Sequence, residues 1–497
     1  MASVFDPYRK MDAMMNPYSN RRTLTAAAAL MALAALISTS ASASENQLPA
    51  CEHQSQTPPD PSQPPPPPTP PQFEPTTITV IGQAYYCIFD NYFGGPILDD
   101  RSLLLPAFAG LTQELQRRGL DQSKANPPAL IGARSADWAA FSRVYRAINA
   151  DLPQDPVVRQ AVAEATMLAM VNALNDDHAH WDSGRHSNQS RATLGLTLSG
   201  FRGPAQELFD PAATAPFFIT GVAPRSPALS AGVQAGDEII TINGVPPYVN
   251  AVLNAGAISW ITAPTEGTQV TLTLHRPATN ATLTVALTAQ NVAPPIISIG
   301  ATLVDGNIAY GKLEGFAVEQ TEQLLNSIRE LNQTTHLRGV ILDLRGNGGG
   351  DAAAEDILLG ALAHDRVTDY WCNNTPTRDH CTPNRLDASV PLLNLPVVVL
   401  VDRVCASACD AFSGTVKDLH LGTLVGTRTS GVVSGPSNPY SLEDGSSIWL
   451  PAFYQIGANR ERIDGIGVAP DYYAPLTAAD LSAGRDPGLT KAVELLR

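Results

Sequence analysis

The sequence predicts a multidomain α+β protein with three folded parts. Residues 76–189 carry apolar side chains at three- and four-residue spacing, which is typical of amphipathic helices. Residues 190–293 contain short alternating runs separated by polar turns, which predicts strands of a small β-rich domain. Residues 294–497 alternate buried-strand and helical patterns, which predicts an α/β domain with a partly parallel sheet. The chain of 497 residues is long enough to bury a core in each part.

The composition narrows the class of partner. The formal net charge is −15, and charged residues make up 16% of the chain. Lysine and arginine form no basic cluster along the sequence. Because nucleic acids and anionic membranes are bound by basic patches, we expect neither as a partner.

The N-terminus has the pattern of a signal peptide over residues 1–43. Arg21 and Arg22 precede an apolar run at 24–37, and residues 41–43 read Ala-Ser-Ala, a small-residue cleavage pattern. The apolar run is shorter than the roughly 20 residues of a membrane span. A proline-dominated linker follows over residues 44–75 and should act as an extended spacer. These features predict a periplasmic or secreted protein with no stable membrane span after cleavage.

Six cysteines fit an oxidising compartment. The pair Cys372–Cys381 brackets a polar segment and is predicted to staple a surface loop. The pair Cys51–Cys87 can form across the proline-rich segment. The pair Cys405–Cys409 would lie about one helical turn apart, so it can also approach, although a bridge there would strain the backbone.

Residues 190–293 contain short motifs in a particular order. The segment 221–228 reads GVAPRSPA, a Gly-Asp pair at 236–237 precedes an apolar strand at 238–242, and an Asn-Gly pair follows at 243–244. This order resembles a PDZ domain, which is a small β-sandwich or barrel with helices. The resemblance implies the fold of this part of the chain.

The PDZ resemblance also implies a binding groove. Such a groove takes an extended peptide as an added strand. A terminal carboxylate would be held by the backbone N–H groups of one loop, formed here by Leu194, Gly195 and Leu196. The alternative is a structural spacer whose groove is unused.

A serine lies at a strand-to-helix corner in the C-terminal part. The apolar run 397–401 ends in small residues, and Ser407 precedes a helical pattern. Such a turn can expose a hydroxyl beside free helix N–H groups, which suits a nucleophile. The alternative is a plain helix N-cap, which is the commoner role of a serine.

A glycine run follows another buried strand. The strand at 339–344 leads into residues 345–350, where backbone N–H groups can crowd toward an anion. A phosphate site is disfavoured, because the GxGxxG pattern and a following Lys-Ser/Thr are absent. An oxyanion hole for acyl transfer fits better, with the N–H groups of Gly348 and Ala408 as donors. A plain turn is the remaining alternative.

Three motifs occur in the order of one enzyme superfamily. They are DLRGNGGG at 343–350, SACD at 407–410 and GIGVAPD at 465–471. Together with the preceding PDZ-like segment, they resemble the C-terminal processing (tail-specific) serine peptidases over roughly residues 160–497. The resemblance implies a serine peptidase domain with Ser407 as the nucleophile.

The general base departs from the bacterial pattern of that superfamily. Those enzymes use a lysine on the strand after the helix, and Val432 stands at that position. No lysine occurs between Lys417 and Lys491, and the Arg428 guanidinium does not deprotonate near neutral pH. The tricorn-core branch instead uses a histidine ahead of the PDZ domain, which here is His178. A neutral imidazole can take the serine's proton and return it to the leaving amine.

A third residue should orient the histidine. Asp464 stands where the tricorn-like pattern has a glutamate, and Asp177 replaces a serine beside the histidine. We expect Asp464 to orient His178, with Asp177 as its rival and Glu461 as a nearby substitute. Asp410 should stabilise the helix N-terminus or the active-site loop rather than act as a base.

Other roles for the histidine segment stay open at this point. His178 and His180, with Asp176 and Asp177, have the residue types of a metal cluster. His178 can also be a cation at a helix end without chemistry.

The sequence therefore predicts an exported serine endopeptidase that needs no metal or organic cofactor. Its expected partner is a peptide or protein substrate, which the PDZ domain presents or gates. The rival hypotheses are an inactive peptide-binding protein and a carrier of small apolar ligands on the same scaffold.

Overall fold

A computed structural model describes residues 51–53, 74–184, 192–203, 208–292, 299–374, 379–386 and 388–497. The predicted signal peptide and most of the proline-rich linker lie outside the described residues. Within the described ranges, no helix combines the length and apolar character that crossing a bilayer requires.

Four helices form the N-terminal part: α1 (Ile78–Asn91), α2 (Arg101–Arg117), α3 (Arg134–Ala150) and α4 (Pro156–Asn172). Helix α4 begins where the Asp-Pro signal predicts, because the Asp155 side chain accepts a hydrogen bond from the Val157 N–H and caps it. Helices α2 and α4 pack closely at Gly110, where a Cβ would lie 2.5 Å from the Ala165 carbonyl oxygen. Aromatic side chains such as Tyr85 and Phe141 fill the space between the helices.

The second part is a β-rich domain. Its main sheet has the order β11-β10-β7, formed by Ala281–Thr288, Gln269–Arg276 and Glu238–Ile242. Inward residues of β10 such as Val270, Leu272 and Leu274 are fully buried, as period-two alternation predicts. The remaining elements are β3 (Leu196–Leu198), β4 (Phe201–Arg202), β5 (Leu208–Phe209), β6 (Ile219–Val222), α5 (Pro227–Ser230), β8 (Tyr248–Val249), β9 (Val252–Leu253) and α6 (Ala255–Thr262).

The C-terminal part is built on a six-stranded sheet of order β12-β13-β14-β17-β18-β22. Strands β13 to β22 of this sheet are parallel, and β12 is an antiparallel edge. The central strands β14 (Gly339–Asp343) and β17 (Val397–Val401) are buried along their whole length, as expected between two helical layers. The other members are β12 (Ala301–Val304), β13 (Ile308–Lys312), β18 (Thr423–Gly426) and β22 (Tyr472–Tyr473).

Helices cover both faces of this sheet. The cluster of buried side chains on one face includes residues of α7 (Val318–Thr335), α8 (Ala352–Gly360) and α9 (Ala408–Asp418). The opposite face packs against α11 (Pro487–Leu495), and α10 (Ala478–Ser482) precedes it. Because β14 and β17 are parallel neighbours, the glycine run and Ser407 lie beyond the same edge of the sheet.

A smaller sheet joins remote parts of the chain. Its order is β1-β19-β20-β2, formed by Glu52–His53, Ser437–Ser441, Ser447–Pro451 and His180–Asp182. A third sheet of order β16-β15-β21 contains Asp379–Arg385, Val367–Asn374 and Tyr454–Gly457. The six cysteines form three disulfides: Cys372–Cys381, as predicted, and the two pairings that the sequence left open, Cys51–Cys87 and Cys405–Cys409.

Candidate active site

Ser407 occupies a sharp corner between β17 and α9. Its backbone has φ 55° and ψ −122°, a conformation that residues with a side chain rarely adopt and that costs about 1–3 kcal/mol. The corner is held because the Ser407 N–H donates to the Val432 carbonyl over 2.7 Å, and the Ala406 N–H donates to the Asn347 carbonyl over 3.1 Å. Strain of this kind, imposed by the surrounding structure, is typical of an exposed nucleophile.

The glycine run packs directly against this corner. A Cβ on Gly349 would lie 2.6 Å from the Ser407 Cβ and 2.7 Å from the Ala406 carbonyl oxygen, and its φ is +98°. Glycine is therefore required at this position. Asn347 fixes the run, since its side chain donates to the Leu313 carbonyl and accepts from the Gly349 N–H.

The two predicted oxyanion donors flank this contact. Gly348 precedes Gly349, and Ala408 is the first residue of α9. Within the described part of the chain, neither of these two N–H groups donates to a protein acceptor. Both are therefore available to an external oxygen.

His178 lies beside Ser407 although the two residues are 229 positions apart in the chain. The His178 Nε2 and Ser407 Oγ atoms are 3.4 Å apart, within the looser range expected of an unliganded site. The histidine backbone is fixed on both sides. Its N–H donates to Asp176 Oδ1 over 3.0 Å, and its carbonyl accepts a hydrogen bond from the Ser437 hydroxyl.

The other ring nitrogen of His178 contacts a serine that the sequence did not single out. His178 Nδ1 lies 2.9 Å from Ser434 Oγ, which in turn donates to Asp176 Oδ1 over 2.7 Å. The Ser434 hydroxyl has one proton, and it donates that proton in its hydrogen bond to the Asp176 carboxylate. Ser434 must therefore accept from Nδ1–H, which leaves Nε2 with a free lone pair toward Ser407. This is the tautomer that a general base needs.

Asp176 has a further donor from the N-terminal helical part. The Tyr92 hydroxyl lies 3.1 Å from Asp176 Oδ2. Burial, together with the adjacent Asp176 carboxylate, raises the pKa of Tyr92 well above its usual range. Tyr92 therefore stays protonated and donates to the carboxylate that polarises Ser434.

The predicted orienting acids lie close to the histidine but contact other groups. Asp464 Oδ1 accepts from the Val433 N–H over 3.0 Å, and burial raises the pKa of Asp464. Asp177 forms a 2.7 Å ion pair with Arg202. In the residues described, the hydrogen-bond partners of the His178 ring are Ser407 and Ser434.

Glu461, the other substitute, lies in a different environment. Burial and the neighbouring Asp418 raise the pKa of Glu461 to about 7. The pattern of the sequence favoured Asp464 because of its place before the Gly-x-Gly-Val motif. The Ser-Gly-Pro context of Ser434 reads as an ordinary turn, so its role had no sequence signal.

Asp410 organises the loop that follows β18. Its buried carboxylate accepts from the Gly431 N–H over 3.0 Å, from the Val432 N–H over 2.9 Å and from the Thr429 hydroxyl. Burial raises the pKa of Asp410 to about 6, and the donated hydrogen bonds oppose that rise. Since Val432 accepts from the Ser407 N–H, Asp410 supports the Ser407 corner through this loop.

The histidine segment has the residue types of a metal site. In the described ranges, no group of three or more His, Cys, Asp or Glu side chains is arranged to hold a metal ion. The His180 ring stacks on Trp449, with ring centroids 5.5 Å apart.

The β-rich domain contacts both halves of the site. Its Arg202 pairs with Asp177, next to His178, and its Asp210 accepts two hydrogen bonds from Arg403, near Ser407, over 2.8 and 3.1 Å. The Gly203 N–H donates to the Arg403 carbonyl over 3.3 Å. One edge of this domain thus bridges the loops that carry His178 and Ser407.

The predicted carboxylate-binding loop is tightly packed. Leu194 is fully buried, and the Gly195 N–H donates to the Thr193 hydroxyl oxygen over 2.9 Å. A Cβ on Gly195 would lie 2.1 Å from the Ser226 Cβ, so this loop requires glycine. Leu196 begins strand β3, which pairs with β6.

Comparison with known proteins agrees with this architecture. The model of peptidase family S41 matches residues 307–474, and the model of the PDZ domain matches residues 218–276. The chloroplastic C-terminal processing peptidase of Tetradesmus obliquus is 28% identical over 366 residues, which cover 67% of this chain and 75% of that protein. The tricorn protease of Thermoplasma volcanium is 31% identical over 163 residues, covering 32% of this chain and 14% of that protein.

The chain spans 59% and 55% of the length of two further curated processing proteases. Among solved structures, mature CPAF complexed with lactacystin aligns with a TM-score of 0.52 at 14% identity, covering 85% of this chain and 97% of that one. This likeness shows a shared fold. The chain thus contains a PDZ domain followed by a peptidase family S41 domain, and its relatives include C-terminal processing proteases and tricorn proteases.

Proposed function

We propose that the protein is an exported serine endopeptidase that cleaves peptides or unfolded protein tails through an acyl-enzyme. The observation that carries the proposal is the line of contacts Ser407–His178–Ser434–Asp176. It joins a strained hydroxyl to a histidine whose hydrogen bonds favour the tautomer that a general base needs. Export is supported by the three disulfides, which persist in oxidising compartments.

Acylation begins when Ser407 Oγ attacks the peptide carbonyl and His178 Nε2 takes the hydroxyl proton. The ring then carries a positive charge. Its Nδ1–H donates to Ser434, whose own proton is held by Asp176, so the charge is stabilised without moving a second proton. When the tetrahedral intermediate collapses, Nε2–H gives its proton to the leaving amine and the ester with Ser407 remains.

The carbonyl oxygen becomes negatively charged in both steps of the reaction. We assign the Gly348 and Ala408 N–H groups as its donors, since they flank the serine and are free of protein acceptors. Preorganised donors of this type contribute about 2.7–4 kcal/mol each to transition-state stabilisation. Deacylation repeats the sequence with water as the nucleophile, activated by the same Nε2 lone pair.

The carboxylates that the sequence favoured have supporting roles in this proposal. Asp464 accepts a hydrogen bond from the Val433 N–H and so positions the adjacent Ser434. Asp464 is also a second carboxyl group near the histidine, and burial raises its pKa. Asp177 anchors the histidine loop to Arg202 of the PDZ domain.

The PDZ domain is proposed to bind the substrate chain and to deliver it to the peptidase domain. Its edge contacts both catalytic loops through Arg202 and Asp210, so occupation of the groove can influence the spacing of His178 and Ser407. The loop 194–196 remains the proposed site for a terminal carboxylate.

The proposal is tested with a fluorophosphonate probe, which labels an activated serine. The full mature chain should be labelled at Ser407, and both Ser407→Ala and His178→Ala should abolish labelling. His180→Ala is the matched control and should retain labelling, because the His180 ring stacks on Trp449 instead of contacting the serine. An unlabelled parent would refute the peptidase and favour the inactive peptide-binding protein. Equal labelling of the His178 variant would show that another group is the base.

A further inference from the structure

The Cys405–Cys409 disulfide encloses the nucleophile. Its two cysteines are four positions apart, with Ser407 at the midpoint, and their Cα atoms are 5.2 Å apart. Both side chains are fully buried in the main core of the peptidase domain. The bridge therefore lies beneath the corner, on the protein side of the residue that reacts.

This bridge is poorly suited to general stabilisation. A disulfide constrains the unfolded chain more strongly as the closed loop lengthens. The other two bridges span 36 and 9 positions, whereas this one spans four. Its main effect must therefore be on local backbone geometry.

The bridge acts on the groups that define the corner. Cys405 precedes the strained residue, and its carbonyl accepts from the Ser430 N–H over 2.8 Å, which ties it to the loop organised by Asp410. Cys409 lies in the first turn of α9, and its N–H donates to the Ala406 carbonyl over 2.9 Å. Linking these flanks restrains the backbone between them, and with it the direction of the Ser407 Cα–Cβ bond and of the Ala408 N–H.

We propose that the Cys405–Cys409 disulfide is a positioning element for catalysis, which holds Ser407 in its strained conformation and aims it at His178. The proposal rests on the peptidase function proposed above. Small misplacements of reacting groups can cost up to about 100-fold in rate. The peptidase is accordingly expected to reach full activity only after this bridge has formed.

The test compares two paired variants in the full chain. Cys405→Ala with Cys409→Ala should lower the rate of fluorophosphonate labelling and kcat on an unfolded protein substrate on the order of 10- to 100-fold, with KM nearly unchanged. Cys372→Ala with Cys381→Ala is the matched control and should label at the parental rate. Both are assayed on the fraction that elutes with the parent in size-exclusion chromatography, and their unfolding temperatures are recorded.

A labelling rate within twofold of the parent in the Cys405/Cys409 pair variant would overturn the proposal, provided that the parent is labelled. An unlabelled parent would instead refute the peptidase function itself. A labelling loss shared equally by the control pair would also overturn the proposal, because it would show a general effect of lost disulfides.

If the variant with Cys405→Ala and Cys409→Ala does not fold, chemical reduction of the disulfide in the parent protein tests the proposal instead. Dithiothreitol transfers two electrons to the bridge, giving two protein thiols and its own cyclic disulfide. Oxidised glutathione reverses this, taking up the two electrons and two protons as two reduced glutathione molecules. Peptide mapping by mass spectrometry identifies the opened bridge. Labelling should fall with the fraction of Cys405–Cys409 reduced and return on reoxidation, and labelling that is independent of this fraction would overturn the proposal.

Discussion

Replacing Ser434 by alanine tests the hydrogen-bond chain that joins His178 to Asp176, and with it the proposed role of His178 as the base. The change removes the 2.9 Å contact with His178 Nδ1 and the 2.7 Å contact with Asp176 Oδ1. Ser434 is buried, so water does not simply take the place of its hydroxyl. The remaining Nδ1–H then lacks its acceptor, and the ring loses the preference for the tautomer with a free Nε2.

The size of the effect follows from the charge on the ring. In the transition state His178 is an imidazolium, and a hydrogen bond to a charged group contributes about 1.5–3 kcal/mol. Since each 1.36 kcal/mol corresponds to a factor of ten, kcat should fall by roughly 10- to 150-fold. KM should change little, because the lost interaction strengthens when the ring becomes charged.

The assay is fluorophosphonate labelling combined with turnover of an unfolded protein substrate. Ser430→Ala is the matched control: Ser430 is also buried in this loop, its hydroxyl has no hydrogen-bond partner, and its backbone N–H bond to Cys405 is retained. A double variant with Asp176→Asn should show a loss smaller than the product of the single losses, since both belong to one network. The reasoning is refuted if the labelling rate of Ser434→Ala is within twofold of the parental rate, or if Ser430→Ala lowers the labelling rate as much as Ser434→Ala does.

Three further predictions follow from the same site. Gly349→Ala should abolish labelling, because the new Cβ would collide with the Ser407 corner. Gly346 has a similar positive φ but open space around it, so Gly346→Ala should keep labelling and lower the unfolding free energy by about 1 kcal/mol. Equal labelling of the two variants would contradict the packing argument. Tyr92→Phe should lower the labelling rate by about 2- to 10-fold, because it removes a hydrogen bond to Asp176 of about 1 kcal/mol. An unchanged labelling rate would show that the N-terminal helical part does not contribute to the site. Burial raises the pKa of Asp410 from 3.8 to about 6, so ionising this group costs more in the folded state than in the unfolded state. As pH rises from 4 to 7, the unfolding free energy of the parent should therefore fall by up to about 3 kcal/mol relative to that of Asp410→Asn. Urea unfolding at several pH values measures this difference, and a difference that does not change with pH would contradict the prediction.

Much of the fold was predictable because its central elements have strong patterns. The strands at 339–343 and 397–401 are continuous apolar runs, which is how buried parallel strands read. The small sheet that joins β1, β2, β19 and β20 was not predictable. Two- and three-residue strands such as Glu52–His53 are too short to show a period, and their pairing depends on segments that lie far apart in the chain.

The candidate site divides in the same way. Ser407 and His178 occur in motifs of small residues and at recognisable boundaries, so the sequence brought them together, and the 3.4 Å contact agrees with that hypothesis. Their orienting partner depends on side-chain directions in two loops. A difference of one position, Asp176 against Asp177, decides whether a carboxylate reaches Ser434 or Arg202. The sequence alone does not contain that direction, because both residues are in a turn without a fixed side-chain period.

The small sheet has a consequence for how this peptidase is made. Strand β2 follows His178 directly, and it pairs with β20 of the C-terminal part. His178 is thus held in place by a strand from the C-terminal part of the chain, and Ser407 is 229 positions away from it. A chain that is still being synthesised holds the histidine before the serine has been added. The two residues of the candidate site therefore come together only after strand β20 has been synthesised and has paired with β2.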